Sequence, residues 1–414
     1  MIRIAVTGLG PVTPIGIGSG FETAWRASAS GIGPITRFNA AGHPVRIAGE
    51  VDLDPQSWLS TREVRAMDRV AVLAVVAGDI ALHQSGLLSD TDPEQVGVFV
   101  GSGAGGADSW LAAGHAVSRG DGGRVGPRLV PNGMVNSAGA EIGIRHGLRG
   151  PVMSSASACS SGSDALVSAV QALRCGEVVA AVAGGADAPV NPIIVGGFSA
   201  LHALSRRNHD PQGASRPFAA DRDGFVLAEG AGVLVLEEWN HAHARGAPIL
   251  AELAGYGRSS DASHITRPSE AGEGAQRAMM RALTQTGTAP SEVDHIAAHG
   301  TATALNDASE TRAIQTVLGS AAASTPVSSI KGLIGHTLGA AGSLSAIAAV
   351  QSLLSGVVPG TANLHHPDPE LPLDFVAEGA RHVAPSTVMV NTNAFGGQNV
   401  SLLFRRTREQ EECR

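Results

Sequence analysis

The sequence predicts an α/β fold built from two similar halves, and three observations carry that prediction. Short runs that are apolar at every position alternate with longer Ala-rich runs at helical spacing. The short runs end in glycine-rich turns, the pattern of strands buried on both faces of a central sheet. The order of strand, Gly turn, reactive-residue loop, Ala-rich helix and apolar strand also occurs twice.

The elements follow in order. Ile4–Val6 reads as a strand that turns at Gly8-Leu9-Gly10. Val96–Val100 is a second strand, ending in Gly101-Ser102-Gly103, and Val178–Val182 a third, ending in Gly184-Gly185-Ala186-Asp187. Asp164–Arg174 reads as a helix stopped by Gly176. Ile249–Tyr256 opens the second half as Ile2–Gly8 opens the first. The Cys159 loop and its helix are matched by Ser328–Gly342 and the helix that follows. Each half closes on an expected hairpin: Gly224–Leu227 with Gly232–Leu236, then Val388–Val390 with Asn399–Leu403. The division falls near Arg245, giving halves 1–245 and 246–414.

Composition narrows the class. A chain of 414 residues with 43% hydrophobic and 16% charged residues can bury a large core. Aromatics make up only 3%, so that core must be Ala, Val, Leu and Ile. A net charge of −8 argues against a nucleic-acid surface. Three cysteines, Cys159, Cys175 and Cys413, show no paired spacing, which points to free thiols in a reducing cytoplasm. The N-terminus lacks a signal-peptide pattern, and no uninterrupted apolar run reaches the length of a membrane span.

Three residues stand out chemically. Cys159 lies in Ser157-Ala158-Cys159-Ser160-Ser161-Gly162, just before a helix. His299 lies in His-Gly-Thr-Ala-Thr at the carboxyl end of the strand Val293–Ala298, where open α/β sheets place active sites. His336 lies in a Gly-bounded turn before an Ala-rich helix. A thiol can accept an acyl group and imidazoles can stabilise negative charge on oxygen, so the trio suits thioester chemistry. A helix N-terminus supplies roughly 0.3–1 kcal/mol, under one pKa unit at ~1.4 kcal/mol each. A further base or donor near the thiol is therefore expected. Cys175, at a helix end, reads as a small buried hydrophobe, and Cys413 as incidental in a charged tail. His241 and His243 lie two apart on a helix and face different ways, and His365-His366-Pro367 reads as a loop. No His-Glu-x-x-His, Cys-x-x-Cys or Walker pattern is present, so no metal or nucleotide site is expected.

With these motifs the chain resembles the condensing enzymes of the thiolase superfamily. More narrowly it resembles the β-ketoacyl-[acyl-carrier-protein] synthase I/II type, including ketosynthase subunits of type II polyketide synthases. The matching segments run in the family's order: the Cys159 loop, Ala183–Asp187, Ser215–Phe218 with Arg222–Phe225, His299–Thr301, Lys331–His336 and Phe395–Asn399. The resemblance implies a duplicated thiolase-like α-β-α-β-α sandwich. It makes Cys159 the acyl-accepting nucleophile and His299 and His336 the active-site histidines. Lys331 and Glu310 become the supporting lysine and carboxylate. The backbone N–H groups of Cys159 and Phe395 become the oxyanion hole, and Phe395 also part of a mobile gate. Thr301 and Thr303 would contact a phosphopantetheine arm, and Phe198, Ala104 and Ala394 would touch substrate.

Two positions depart from the family pattern. Ala394 stands where many members have Gly, which would restrict the gate. Ala104 stands where many fatty-acid enzymes have a larger aliphatic residue, which implies a roomier acyl pocket and a specialised substrate. The implied activity is decarboxylative Claisen condensation of an acyl group on Cys159 with malonyl-acyl carrier protein (ACP), with no metal or other cofactor. The implied partners are ACP and a second ketosynthase subunit, in a homodimer or in a heterodimer with a chain-length-factor-like chain. Housekeeping fatty-acid elongation is the alternative. A non-condensing chain-length subunit would lack the nucleophile that this chain has in Cys159. A thiolase would need a second catalytic cysteine, which neither Cys175 nor Cys413 provides, and the Cys-His-Asn variant of initiating synthases is opposed by His336.

Overall fold

The structure is a computed structural model that describes residues 2–377 and 379–407. Cys413 lies outside them. Eleven strands follow one path: β1 (Ile4–Thr13), β2 (Val96–Gly101), β3 (Val152–Met153), β4 (Ala180–Asp187), β5 (Gly230–Glu238), β6 (Ala251–Ser260), β7 (His295–Ala297), β8 (Pro326–Ser328), β9 (Asp374–Phe375), β10 (Thr387–Asn393) and β11 (Gln398–Arg405). Their order is β9-β8-β7-β10-β11-β6-β1-β5-β4-β2-β3, with Gly16–Ile17 paired to β1 off the path. Read outward from the middle, β1-β5-β4-β2-β3 and β6-β11-β10-β7-β8 have the same sequence of directions: two antiparallel pairings, then two parallel ones. A two-residue antiparallel ladder, Ala5 with Glu252 and Val6 with Ala251, joins them.

Helices cover every face. α1 (Arg69–Ser85) packs outside the first strand set, and α3 (Glu273–Thr286) and α4 (Ala304–Leu318) outside the second. α2 (Ser161–Arg174) and α5 (Ala341–Ser355) lie between the two sets and share one core with both. Alternation along the strands explains the layering. On β4, Ala181 and Ala183 face the middle layer while Ala180 and Val182 face α1. On β10, Val388 and Val390 face the middle layer and Met389 faces α3 and α4. The result is the expected α-β-α-β-α sandwich, with strands such as β4 and β10 buried on both faces.

Several local expectations are corrected. β1 does not turn at Gly8-Leu9-Gly10 but continues to Thr13. A Cβ at Gly8 would sit 2.2 Å from the Ala81 carbonyl oxygen, and one at Gly10 1.9 Å from that of Ala77. These glycines let α1 lie against the strand. β4 begins at Ala180 and α2 at Ser161, two residues later and three earlier than expected. The second hairpin forms, pairing Asn393 with Asn399 and Val388 with Phe404. The first does not: Phe225 bridges Leu204 and Leu227 bridges His336, so this segment walls the site instead. Cys175 is exposed, not buried. Leu338–Ser355 has the length and mean hydropathy of a membrane span, although Ser343, Ser345, Gln351 and Ser352 interrupt its apolar run. It is 89% buried, because α5 is the helix enclosed between the sheets.

The middle layer is tight where the helix after Cys159 begins. A Cβ at Gly162 would lie 2.6 Å from the Gly339 carbonyl oxygen and 3.1 Å from the Ser343 hydroxyl. Gly162→Ala should therefore destabilise the protein by about 1–3 kcal/mol through overpacking, read as a lower denaturant midpoint. An unchanged midpoint would show that the turn after His336 can yield.

Candidate active site

Cys159 sits in a short 3₁₀ turn, Ala158–Ser160, that leads straight into α2. Ala158 before it is held at φ 50°, a left-handed conformation that side-chain-bearing residues seldom adopt. The sulfur points into the space where the other half's loops arrive.

His299 follows β7 in a loop folded around a carboxylate. Glu310, buried on α4, accepts the backbone N–H groups of His299 (2.7 Å) and Gly300 (2.8 Å). Asp307, one turn earlier on α4, accepts the N–H groups of Thr301 (3.0 Å) and Phe218 (2.8 Å). The buried Lys331 ammonium donates to the His299 carbonyl at 2.5 Å and stands 3.5 Å from its Nδ1. His336 is pinned by its own backbone: its N–H donates to Val226 and its carbonyl accepts from Ala228. Its Nε2 lies 3.1 Å from Cys159 Sγ. The two imidazoles meet edge to face at 5.4 Å between centroids, and the edge of Phe225 packs on His336.

The electrostatics follow from burial. Burial pushes the Cys159 thiol up to about 11; Lys331's charge opposes this, Asp187's adds to it, and the N–H groups of Phe395 and Cys159 favour the thiolate. Burial, joined by the positive Lys331, holds both His299 and His336 well below the usual imidazole range, so both are neutral. Burial also raises Glu310 and lowers Lys331, each opposed by the other's charge. The helix end alone is thus outweighed by desolvation. The expected extra groups are present as His336 Nε2 and two backbone N–H donors.

A cavity of about 510 Å³ opens onto Cys159, His299 and His336. Phe198, Thr301, Thr303, Ala394 and Phe395 line it too. The hydroxyls of Thr301 and Thr303 are 2.9 Å apart. Glu310 and Lys331 stand behind this wall and act through the His299 loop. Ala104 does not reach the cavity. It lines a neighbouring one of about 460 Å³, which shares only Phe198 and Leu338 with the first. The methyl of Ala394 imposes no backbone restriction, since its φ of −120° is ordinary extended geometry. The left-handed positions of this segment are Gly396 and Gly397.

The ligating atoms of Cys159, His299 and His336 lie within 4.8 Å of one another. A Cys-His-His set can hold a soft metal ion. Here the thiol is held protonated and Lys331 stands 3.5 Å from His299 Nδ1, and both oppose a cation. The same convergence suits an oxygen that gains negative charge. Sequence reasoning missed Asp307, Phe225 and Asp187. The i, i+3 spacing of Asp307 and Glu310 on one helix face was the available signal.

A dry thiol facing two uncharged N–H donors suits acyl transfer on thioesters, and the repeated strand order makes this a thiolase-like condensing enzyme. Comparison narrows the class: the chain belongs to the β-ketoacyl synthase family. The Beta-ketoacyl synthase N-terminal domain matches residues 1–242 and the C-terminal domain residues 250–365. The "3-oxoacyl-[acyl-carrier-protein] synthase 2" of Rhizobium meliloti (strain 1021) is 40% identical, over 98% of this chain and 99% of its own. A solved "type II PKS acyl-carrier protein in complex with its ketosynthase bound to the hexaketide" superposes with a TM-score of 0.91 at 31% identity, covering 98% of this chain and 99% of the other. "The ishigamide ketosynthase/chain length factor" superposes with a TM-score of 0.92 at 34% identity, covering 98% and 99%.

With the thiol pushed up to about 11, its thiolate fraction should grow tenfold per pH unit below that value. Iodoacetamide should label Cys159, and the rate should climb through pH 9 without a plateau. Lys331→Met removes a positive charge that favours the thiolate, so it should slow labelling at fixed pH. A plateau near pH 7, or labelling confined to Cys175, would contradict this electrostatic picture.

Proposed function

We propose that the chain condenses an acyl group held on Cys159 with malonyl-ACP, releasing CO₂ and giving β-ketoacyl-ACP. The observation that carries the proposal is the convergence of the Cys159 sulfur with the ring nitrogens of His299 and His336 within 4.8 Å. In the first step the sulfur attacks the acyl-ACP thioester carbonyl. The tetrahedral oxyanion is held by the N–H groups of Cys159 and Phe395. Collapse expels the phosphopantetheine thiolate, which takes up the proton that the Cys159 thiol gives up, so the acyl group changes sulfur with no net change of charge. In the second step the malonyl C–C bond breaks and CO₂ leaves. The electron pair moves into an enolate whose oxygen receives N–H bonds from the neutral His299 and His336. The enolate carbon then attacks the acyl-Cys159 carbonyl. A second oxyanion forms in the same hole, and collapse returns the Cys159 thiolate, which takes one proton from solvent.

Residues 1–245 supply the nucleophile in this reading, and residues 246–414 the two histidines. Thr301 and Thr303 flank the arm that carries the substrate. The substrates arrive on ACP, and no resident cofactor is required. Ala104 beside the second cavity favours a polyketide or specialised fatty-acid pathway. The 40% identity to the R. meliloti synthase favours the alternative, fatty-acid elongation. The exposed edge strand β3, with Val152 and Met153 open to solvent, supports a dimer with a second copy or with a chain-length-factor-like subunit. Free thiols at Cys159 and Cys175 support the reducing cytoplasm.

His299→Ala and His336→Ala should each lose malonyl decarboxylation while keeping measurable acyl transfer to Cys159, because the oxyanion hole is built from backbone. Mass spectrometry of the enzyme and release of CO₂ from malonyl-ACP separate the two steps. Full decarboxylation by both variants would remove the enolate-donor role.

Ala104→Ile should shorten the longest acyl chain accepted and leave short-chain condensation intact, since the added methylenes fill the neighbouring cavity. The product-length profile of the folded variant decides this. An unchanged profile would show that substrate does not enter that cavity.

A further inference from the structure

The Asp187 carboxylate, at the end of β4, is completely buried and takes no part in the reaction above. Its Oδ1 accepts the Ser102 hydroxyl at 2.6 Å and the Ala104 N–H at 2.9 Å. Its Oδ2 accepts the Gly103 N–H at 2.9 Å and the Gly339 N–H at 2.6 Å. All four donors lie on two segments: the turn after β2, and the turn that follows His336 by three residues. From this geometry we infer that Asp187 is a positioning residue that fastens the His336 turn to the turn after β2, which walls the second cavity. The inference rests on the condensing role of His336 proposed above.

Packing shows how close the three elements come. A Cβ at Gly339 would stand 2.6 Å from Asp187 Oδ2, and one at Gly103 3.1 Å from it. Between His336 and Gly339 lies Leu338, held at φ 45° and lining both cavities. The Gly339 bond to Asp187 is what anchors this strained turn. Only a carboxylate fits. Three of the four donors are backbone N–H groups, which cannot reverse their role, and each oxygen accepts two bonds. An asparagine would aim its own N–H₂ at the Gly103 and Gly339 N–H groups in one orientation and at the Ala104 N–H in the other. A buried carboxylate is costly, and this one also disfavours the Cys159 thiolate. Its charge therefore hinders the nucleophile, and what it contributes is geometry.

The test compares two rates in the full-length enzyme: CO₂ release from malonyl-loaded ACP, and transfer of an octanoyl group from octanoyl-loaded ACP to Cys159. Global destabilisation lowers both alike. Asp187→Asn should lower decarboxylation on the order of tenfold and transfer by no more than about threefold, the sensitivity expected of a misplaced catalytic group. Ser102→Ala removes one of the four donors and should shift the ratio the same way, by about threefold. It decides the matter if Asp187→Asn is not recovered folded. An active parent enzyme with the ratio unchanged in the folded variants overturns the inference alone. A parent enzyme that does not decarboxylate malonyl-ACP overturns both the functional reading and this inference.

Discussion

The site depends on the contact among Gly162, Gly185 and Gly339. A Cβ at Gly185 would stand 2.4 Å from the Gly339 carbonyl oxygen and one at Gly162 2.6 Å from it. No side chain fits at this crossing, so the start of the helix after Cys159, the end of β4 and the turn after His336 meet backbone to backbone. The 3.1 Å approach of His336 Nε2 to Cys159 Sγ follows from that contact. The two residues are 177 positions apart in the chain, and only the enclosed layer between the sheets brings them together.

The dry setting governs the chemistry. Cys159, His299, His336, Glu310 and Lys331 are all buried, and each moves toward its neutral form. For the imidazoles this is an advantage, because a neutral ring keeps one N–H to donate and adds no positive charge beside Lys331. For the thiol it is a cost, because the thiolate is disfavoured in the resting protein. The backbone N–H groups of Cys159 and Phe395 offset part of that cost. Preorganised donors of this kind stabilise charge without reorganising when it appears.

Support for the site is layered. Glu310 holds the His299 loop by two backbone bonds, Asp307 holds the Thr301 segment, and Lys331 clamps the His299 carbonyl. Each supporting group bonds backbone, and only Lys331 also approaches a ring, at 3.5 Å from His299 Nδ1. Buried charges carry a desolvation penalty that pairing only partly returns. Their retention beside the reactive residues fits a design in which loop geometry matters more than stability.

The alternation of apolar runs and Ala-rich helices was enough to give the α/β class and the repeat, because strand and helix periodicity are local properties of the chain. Cys159, His299 and His336 were legible for a similar reason: glycine-rich loops and a following helix mark them within a few residues. Other features were not legible. Gly8 and Gly10 look like a turn until α1 is laid against them, and Gly224–Leu227 looks like half a hairpin until it pairs beside His336. Ala104 sits near the site in expectation but in a second cavity in fact, and Asp187 gains its four donors only when two distant turns close on it. The sequence by itself determined which residues could form strands, helices and reactive loops, since those preferences act over one or two turns of chain. The tertiary structure alone decided which groups share a buried pocket, since the cluster closes only when His336 meets Cys159 across 177 residues and Gly339 meets Asp187 across 152.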